Sequence, residues 1–314
     1  MIEKFKIDIP REKVSKIKEK VKNYPWNLIP NLPDWKHGTN LPYLKEICDY
    51  WIKDFNWSLY EKKINNFQNF KTHVDGINIH FIKEEGSGSN PKNLLLIHGW
   101  PGSVIEFIEI INQLAHPENY GGNKEDGVTV IAPSLPGFGF SESSNEPYGP
   151  RKIAEILNKM MTINLKYKNY VAQGGDWGAT IANWLGYDHD KYCKAIHINC
   201  LTMRHPDGPQ TDKEKRWQEK FDKDQIMQDG YRTQQATKPQ TLSYAMMDSP
   251  VGIAAWIIEK MHGWSDLKDG NIESVYSKDV LLANIMTYLC TDTFSTSTWI
   301  YFGRREEGGR LFPK

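Results

Sequence analysis

The sequence is poor in cysteine, has no excess of either charge and carries no long apolar run. Cys48, Cys193, Cys200 and Cys290 are the only cysteines in 314 residues, and none forms a Cys-x-x-Cys pair. That spacing excludes a disulfide scaffold and a cysteine-based zinc site, and it fits a reducing compartment, so a cytoplasmic protein is expected. Lys+Arg and Asp+Glu both number 39, a net charge of +0. A balanced chain lacks the basic footprint of a nucleic-acid or anionic-membrane binder. Apolar stretches are short, as at Leu94–Ile97, against roughly 18 residues for a membrane span. The start, MIEKFKIDIPREK, places Glu3 and Asp8 where a signal peptide needs an apolar core, so none is expected. No repeat or low-complexity tract occurs. What remains is a globular composition, 39% apolar and 25% charged, with 11 Trp and 15 Tyr available for an aromatic pocket.

The patterning changes along the chain. Pro10 can open a helix with Val14, Ile17 and Val21 on one side, and a second amphipathic stretch runs from Leu41 to Phe55. Between them NYPWNLIPNLPDW reads as a Pro- and Asn-rich loop anchored by Trp26 and Trp35. Phe70 to Lys83 alternates around Asp75-Gly76, a hairpin signal. Then come four buried-strand patterns at Asn93–His98, Val128–Ala132, Asn169–Gln173 and Lys194–Asn199, with a helical period over Arg151–Tyr167. Strands alternating with helices predict an α/β fold with a mostly parallel sheet and helices on both faces. From Leu201 to about Lys278 the chain is polar, Trp-rich and helical, and reads as an inserted cap. Val280–Tyr301 is apolar and helix-like. The expected organisation is an N-terminal region (1–90) that opens as a helical meander, an α/β core (91–200), a cap (201–280) and the start of a returning core (281–314).

The sharpest local signal is Gly174-Gly175-Asp176-Trp177-Gly178 between a strand and a helix. This is the strand–turn–helix setting of a nucleophile elbow, with Asp where esterases carry Ser. The flanking glycines are needed because the turn is tight. A carboxylate needs no base to act as a nucleophile at neutral pH, and it can attack an sp³ carbon to give an alkyl ester that water then hydrolyses. The plain alternative is an Asp N-cap. Against it stands His98-Gly99-Trp100-Pro101-Gly102-Ser103 directly after a strand, where an oxyanion loop is placed; the backbone N–H groups of Trp100 and Trp177 could face the Asp176 ester. The His98 side chain itself reads as a packed core histidine. Pro133–Ser141 reads as a turn lining the pocket, since its glycine spacing is too short for a dinucleotide fingerprint.

Together these motifs resemble the microsomal-type epoxide hydrolases of the α/β-hydrolase fold. The resemblance covers the whole chain: FKIDIP, the Trp/Pro loop and Phe70–Phe81 in the N-terminal region, HGWPGS and GGDWG in the core, and Asp248–Lys260 with Trp264-Ser265-Asp266 in the cap. It implies an enzyme that converts lipophilic epoxides to vicinal diols, with Asp176 as nucleophile. Tyr231 and Tyr301 are implied as phenol donors (ordinary pKa about 10) to the departing epoxide oxygen, which is otherwise a poor leaving group. Epoxide and water are the implied partners, with no cofactor and no metal.

The family pattern also implies a histidine that activates water, an acid that orients it, and two further core strands, all beyond the second tyrosine. The sequence ends at Lys314, 13 residues past Tyr301, and none of its 9 histidines occupies that place. The resulting expectations are a truncated chain in which turnover is doubtful, and a KAIHIN strand left as an unpaired apolar edge. Two alternatives share the fold. A haloalkane dehalogenase would use Trp177 to bind halide, although its oxyanion motif carries Asn where this chain has Trp100. A pseudoenzyme would keep the aromatic pocket for binding alone.

Overall fold

The computed structural model describes residues 1–200 and 207–308. The chain opens with a short strand, β1 (Ile2–Lys4), then α1 (Arg11–Lys22), α2 (Leu41–Lys53) and α3 (Trp57–Asn65). The hairpin follows as β2 (Gln68–Val74) and β3 (Ile77–Glu84). Asp75 (φ 48°) and Gly76 (φ 88°) both take left-handed backbone, the demand of a two-residue turn that matches strand twist, and Val74 pairs with Ile77. Next come β4 (Asn93–Ile97), α4 (Ile111–Ala115), β5 (Thr129–Pro133), α5 (Pro150–Lys159), β6 (Tyr170–Gly174), α6 (Trp177–Asp188) and β7 (Cys193–Ile198). The periodic helix expected to reach Tyr167 instead loosens into a wide π-turn over Met160–Asn164.

One mixed sheet in the order β1-β2-β3-β5-β4-β6-β7 carries all seven strands. The hairpin joins it through an antiparallel β3–β5 pairing, while β5, β4, β6 and β7 run parallel. The inner strands are apolar throughout, as parallel strands covered on both faces must be: Leu95, Leu96, Ile97, Val130, Ile131 and Ala132 are buried. β7 lies at the edge of the described sheet, and its Ile196 is 39% exposed.

After β7 the described chain is helical: α7 (Asp212–Gln228), α8 (Gly230–Thr237), α9 (Pro239–Met246), α10 (Pro250–Gly263), α11 (Lys278–Thr291), α12 (Phe294–Ser297) and α13 (Trp299–Glu306). The expected first residues of the cap, 201–206, and the last residues of the chain, 309–314, lie outside the described residues. α8 packs on α13, and α10 packs on α11 and on the N-terminal α1 and α2. Tyr50 donates to Asp279 at 3.0 Å and Thr39 to the Ala255 carbonyl at 2.7 Å, so the N-terminal helices brace this layer. α11 is buried on almost every side from Leu281 to Cys290.

The β6–α6 turn is packed to the limit. A Cβ on Gly178 would stand 2.0 Å from the Ile97 carbonyl oxygen, and one on Gly174 would stand 2.2 Å from Gly178 backbone. Both clashes are with backbone, of β4 for Gly178 and of the first turn of α6 for Gly174, and neither can swing aside as a side chain could. Gly178→Ala is therefore expected to destabilise the fold by about 2–3 kcal/mol, the range of overpacked cores. Gly230→Ala, whose Cβ would meet nothing within 4 Å, serves as the near-neutral control. Urea midpoints of the two variants check this; equal midpoints would contradict it.

Candidate active site

β6 delivers the chain to Asp176 and α6 leads away from it. Asp176 has φ 48° and ψ −123°, a left-handed conformation that costs a non-glycine residue on the order of 1–3 kcal/mol and is held only by its surroundings. The N-cap alternative is settled by geometry. The Asp176 side chain makes no cap hydrogen bond to α6 and instead accepts the Trp100 N–H across the site, at 2.8 Å from Oδ1. The carboxylate is open to a cleft but enclosed by protein on its other sides. That loss of water raises its pKa to about 6, against the opposing pull of the Trp100 and Trp177 backbone N–H groups.

The Trp100 N–H belongs to the loop that follows β4, and the two glycines of His-Gly-Trp-Pro-Gly have separate reasons to be there. A Cβ on Gly99 would lie 2.4 Å from Asp176 Oδ1. A Cβ on Gly102 would lie 1.5 Å from Oε1 of Glu106. One glycine thus clears space for the elbow carboxylate and the other for a second carboxyl. The loop is clamped from α11: Asn284 Nδ2 donates to the Pro101 carbonyl (2.6 Å), Ser103 Oγ donates to Asn284 Oδ1 (2.8 Å), and the Tyr288 hydroxyl donates to the Gly102 carbonyl (2.6 Å). These buried bonds fix the direction of the Trp100 N–H.

His98 is a core histidine as expected. Its Nε2 accepts the Leu135 N–H at 3.1 Å, and burial lowers its pKa to about 4. The 133–141 turn, expected to line the pocket, does not line the cleft beside Asp176. Its Ser134 Oγ instead meets His80 Nδ1 at 2.9 Å, and its Pro136 and Gly137 border a separate crevice against Thr296.

Tyr231 on α8 and Tyr301 on α13 come together, 70 positions apart in sequence. Their rings meet edge-on at 5.7 Å. Tyr231 stacks flat on Trp100 (5.4 Å, 9°), and Tyr301 meets Trp177 edge-on at 4.7 Å. Burial, reinforced at both by the Asp176 charge, pushes both phenols well above their ordinary pKa, so both carry their protons at neutral pH. Lys260 Nζ lies 4.8 Å from the Tyr231 ring centre and pairs with Glu259.

The cleft beside Asp176 has a volume of about 390 Å³. Ile105, Ile108, Met261, Trp264 and Val280 make its walls largely apolar, and Glu106, Glu109, Asp176 and Lys260 are the charged residues on them. Among the described residues that line it there is no histidine. Among the described residues no three His, Cys, Asp or Glu side chains converge as a metal would require. The arrangement combines a carboxylate, a backbone donor on one of its oxygens and two neutral phenols, a set that suits attack on carbon with protonation of a departing oxygen.

Known proteins share this arrangement of chain. Residues 2–107 match the family described as "Epoxide hydrolase N terminus", and residues 92–246 match "alpha/beta hydrolase fold". A putative epoxide hydrolase of Stigmatella aurantiaca is 38% identical over 98% of this chain and 71% of its own length. Epoxide hydrolase 1 of Sus scrofa is 35% identical over 96% of this chain and 72% of its own length. The crystal structure of the juvenile hormone epoxide hydrolase of Bombyx mori superposes with a TM-score of 0.85 at 30% identity, covering 97% of this chain and 77% of that one. The match in fold and sequence places this chain in the epoxide hydrolase family, on the α/β-hydrolase fold.

Proposed function

We propose that this chain opens lipophilic epoxides through an ester on Asp176, with Tyr231 and Tyr301 as the acids. The observation that carries the reading is the Asp176 carboxylate, held by the Trp100 N–H at 2.8 Å beside two protonated phenols whose rings touch edge-on. The free carboxylate oxygen attacks an epoxide carbon from the rear. The C–O bond of the ring breaks as a phenol passes its proton to the departing oxygen. Water then adds to the Asp176 carbonyl carbon, the Trp100 and Trp177 N–H groups carry the charge that develops on oxygen, and the diol leaves. A halide leaving group would need no phenol pair, which favours the epoxide over the haloalkane reading.

In this reading helices from the 201–280 segment form the cap that brings Tyr231 to the core, residues 1–90 brace it, and 281–308 return Tyr301. The apolar walls suit an aryl or long-chain alkyl epoxide, in keeping with relatives named juvenile hormone epoxide hydrolases in Ctenocephalides felis. Four unpaired cysteines fit a cytoplasmic setting.

The reactive form is the carboxylate, so alkylation weakens as pH falls through the Asp176 pKa of about 6. Rapid quench with styrene oxide, read by intact mass, is expected to show an adduct of one epoxide. Its rate should reach a plateau above pH 7 and fall to about a tenth of that at pH 5, where roughly one carboxyl in ten is ionised. A rate flat from pH 5 to 8, or no adduct, would overturn the reading.

A further inference from the structure

We propose that the hydroxyls of Ser265 and Tyr276 form a polar subsite in the cleft, away from Asp176, which selects epoxides carrying a neutral hydrogen-bond acceptor, an ether or carbonyl oxygen, on the chain beyond the ring. The proposal rests on Asp176 being the residue that opens that ring. Ser265 and Tyr276 line the same cleft as Asp176. α11 gives the direction. Asn284 marks the elbow end, where it grips the Pro101 carbonyl, and Val280 lines the cleft one turn earlier. Lys278, the first residue of α11, lies roughly 9 Å along the axis from Asn284 at 1.5 Å per residue, and Tyr276 comes two residues before it. Ile108, Met261 and Val280 on the same walls have no hydrogen bond to offer a ligand.

Ser265 comes two residues after α10 and Tyr276 two residues before α11, so the loop between the helices must double back to bring their oxygens to 3.1 Å. That loop is pinned. Ile272 is buried, the Lys268 N–H donates to Ser274 Oγ at 3.0 Å, and the Glu273 N–H donates to Asn271 Oδ1 at 2.9 Å. His262, stacked on Trp35, meets the Gly270 carbonyl through Nε2 at 3.1 Å. A donor held in this way needs little reordering to bind. The two hydroxyls have two protons and share one bond. Whichever of them donates, one O–H is left over, and it is strengthened by the bond its own oxygen accepts. Among the described residues neither hydroxyl has another partner. Water or a ligand acceptor satisfies the spare O–H, whereas a ligand that covers it with CH₂ groups leaves it unpaired at a cost. The charged residues of the cleft are engaged elsewhere: Lys260 pairs with Glu259 and lies over the Tyr231 and Trp264 rings, and Glu109 faces Lys63 at 3.5 Å. With Glu106 and Glu109 both on the lining, a neutral acceptor is favoured over a carboxylate.

The test follows single-turnover adduct formation by quenched intact mass, at subsaturating epoxide. The probes are the ether analogues of terminal decene oxide in which an oxygen replaces, in turn, each chain methylene beyond those next to the ring. They are positional isomers, so they leave water at nearly equal cost and their ratios report the cleft. In the parent, one position of the oxygen is expected to react about tenfold faster than the rest, the worth of a paired against an unpaired buried acceptor. In the double variant Ser265→Ala, Tyr276→Phe the isomers should fall within about twofold of one another, with that bond gone. Each single variant should keep a preference of about threefold, because one hydroxyl remains without the neighbour that strengthens and aims it. The single variants carry the test if the double variant fails to fold. Equal rates for all isomers in the parent would overturn the subsite. So would a preference undiminished in the variants, which would assign it to another donor such as Lys260. Absence of any adduct on the parent would instead overturn the Asp176 reading beneath it, and the same isomer ratios taken from equilibrium binding would then decide the subsite.

Discussion

Asp176→Asn is expected to abolish the covalent adduct, with a loss in single-turnover rate on the order of 10⁴-fold or more, as for other removed nucleophiles. The amide oxygen is uncharged and cannot displace an epoxide oxygen at a useful rate. The substitution keeps the shape of the side chain and can keep the Trp100 N–H bond, at 2.8 Å in the parent. It also removes a carboxylate whose burial is unfavourable, as its raised pKa of about 6 records, so stability should hold or rise slightly. Binding of an apolar epoxide or diol in the cleft should survive. Intact-mass labelling, urea unfolding and equilibrium binding together check this. A variant that still labels at the parental rate would remove Asp176 from the chemistry, and unchanged binding in a parent that never labels would favour a binding protein.

The second large effect concerns the phenols. Tyr231→Phe and Tyr301→Phe should each slow adduct formation by about 10²-fold, the typical worth of one donor to a developing oxyanion, and the double variant should lose about 10³-fold or more. The loss is chemical and not one of packing, because each ring keeps its place: Tyr231 stacked on Trp100, Tyr301 edge-on to Trp177. Epoxide binding should change little. The two rings are in contact and would serve one oxygen, so the effects should not be simply additive. If both single variants label at parental rate, ring opening needs no help from either phenol and the site must find its acid elsewhere.

The elbow was legible because its constraints are local. Gly174 and Gly178 are dictated by backbone contacts within one turn and with the neighbouring strand, and Asp75-Gly76 announces its turn by the backbone it needs. β4, β5 and β6 were legible because parallel strands covered on both faces are mostly apolar, whereas β7, expected as a fourth buried strand, forms but is exposed from Lys194 to His197. β1 and α3 were not read: the first is three residues of exposed chain that becomes a strand only by pairing with β2, and the second lies in a mixed-polarity stretch. The clamp on the oxyanion loop was invisible because Asn284 and Tyr288 are more than 180 positions from their carbonyl partners and sit in a helix that reads as plain core. Glu106 did leave a signal. Gly102 is followed four residues later by an acid in an otherwise apolar run, Val104-Ile105-Glu106-Phe107-Ile108.

The most direct test of the central claim is a single turnover in water enriched in oxygen-18, with the enzyme in excess over styrene oxide. If Asp176 forms the ester, the first diol carries an oxygen from the carboxylate and is unlabelled, while the peptide containing Asp176 gains one oxygen-18. Label in the first diol, with none in that peptide, would mean that water attacks the epoxide directly and that Asp176 is not the nucleophile.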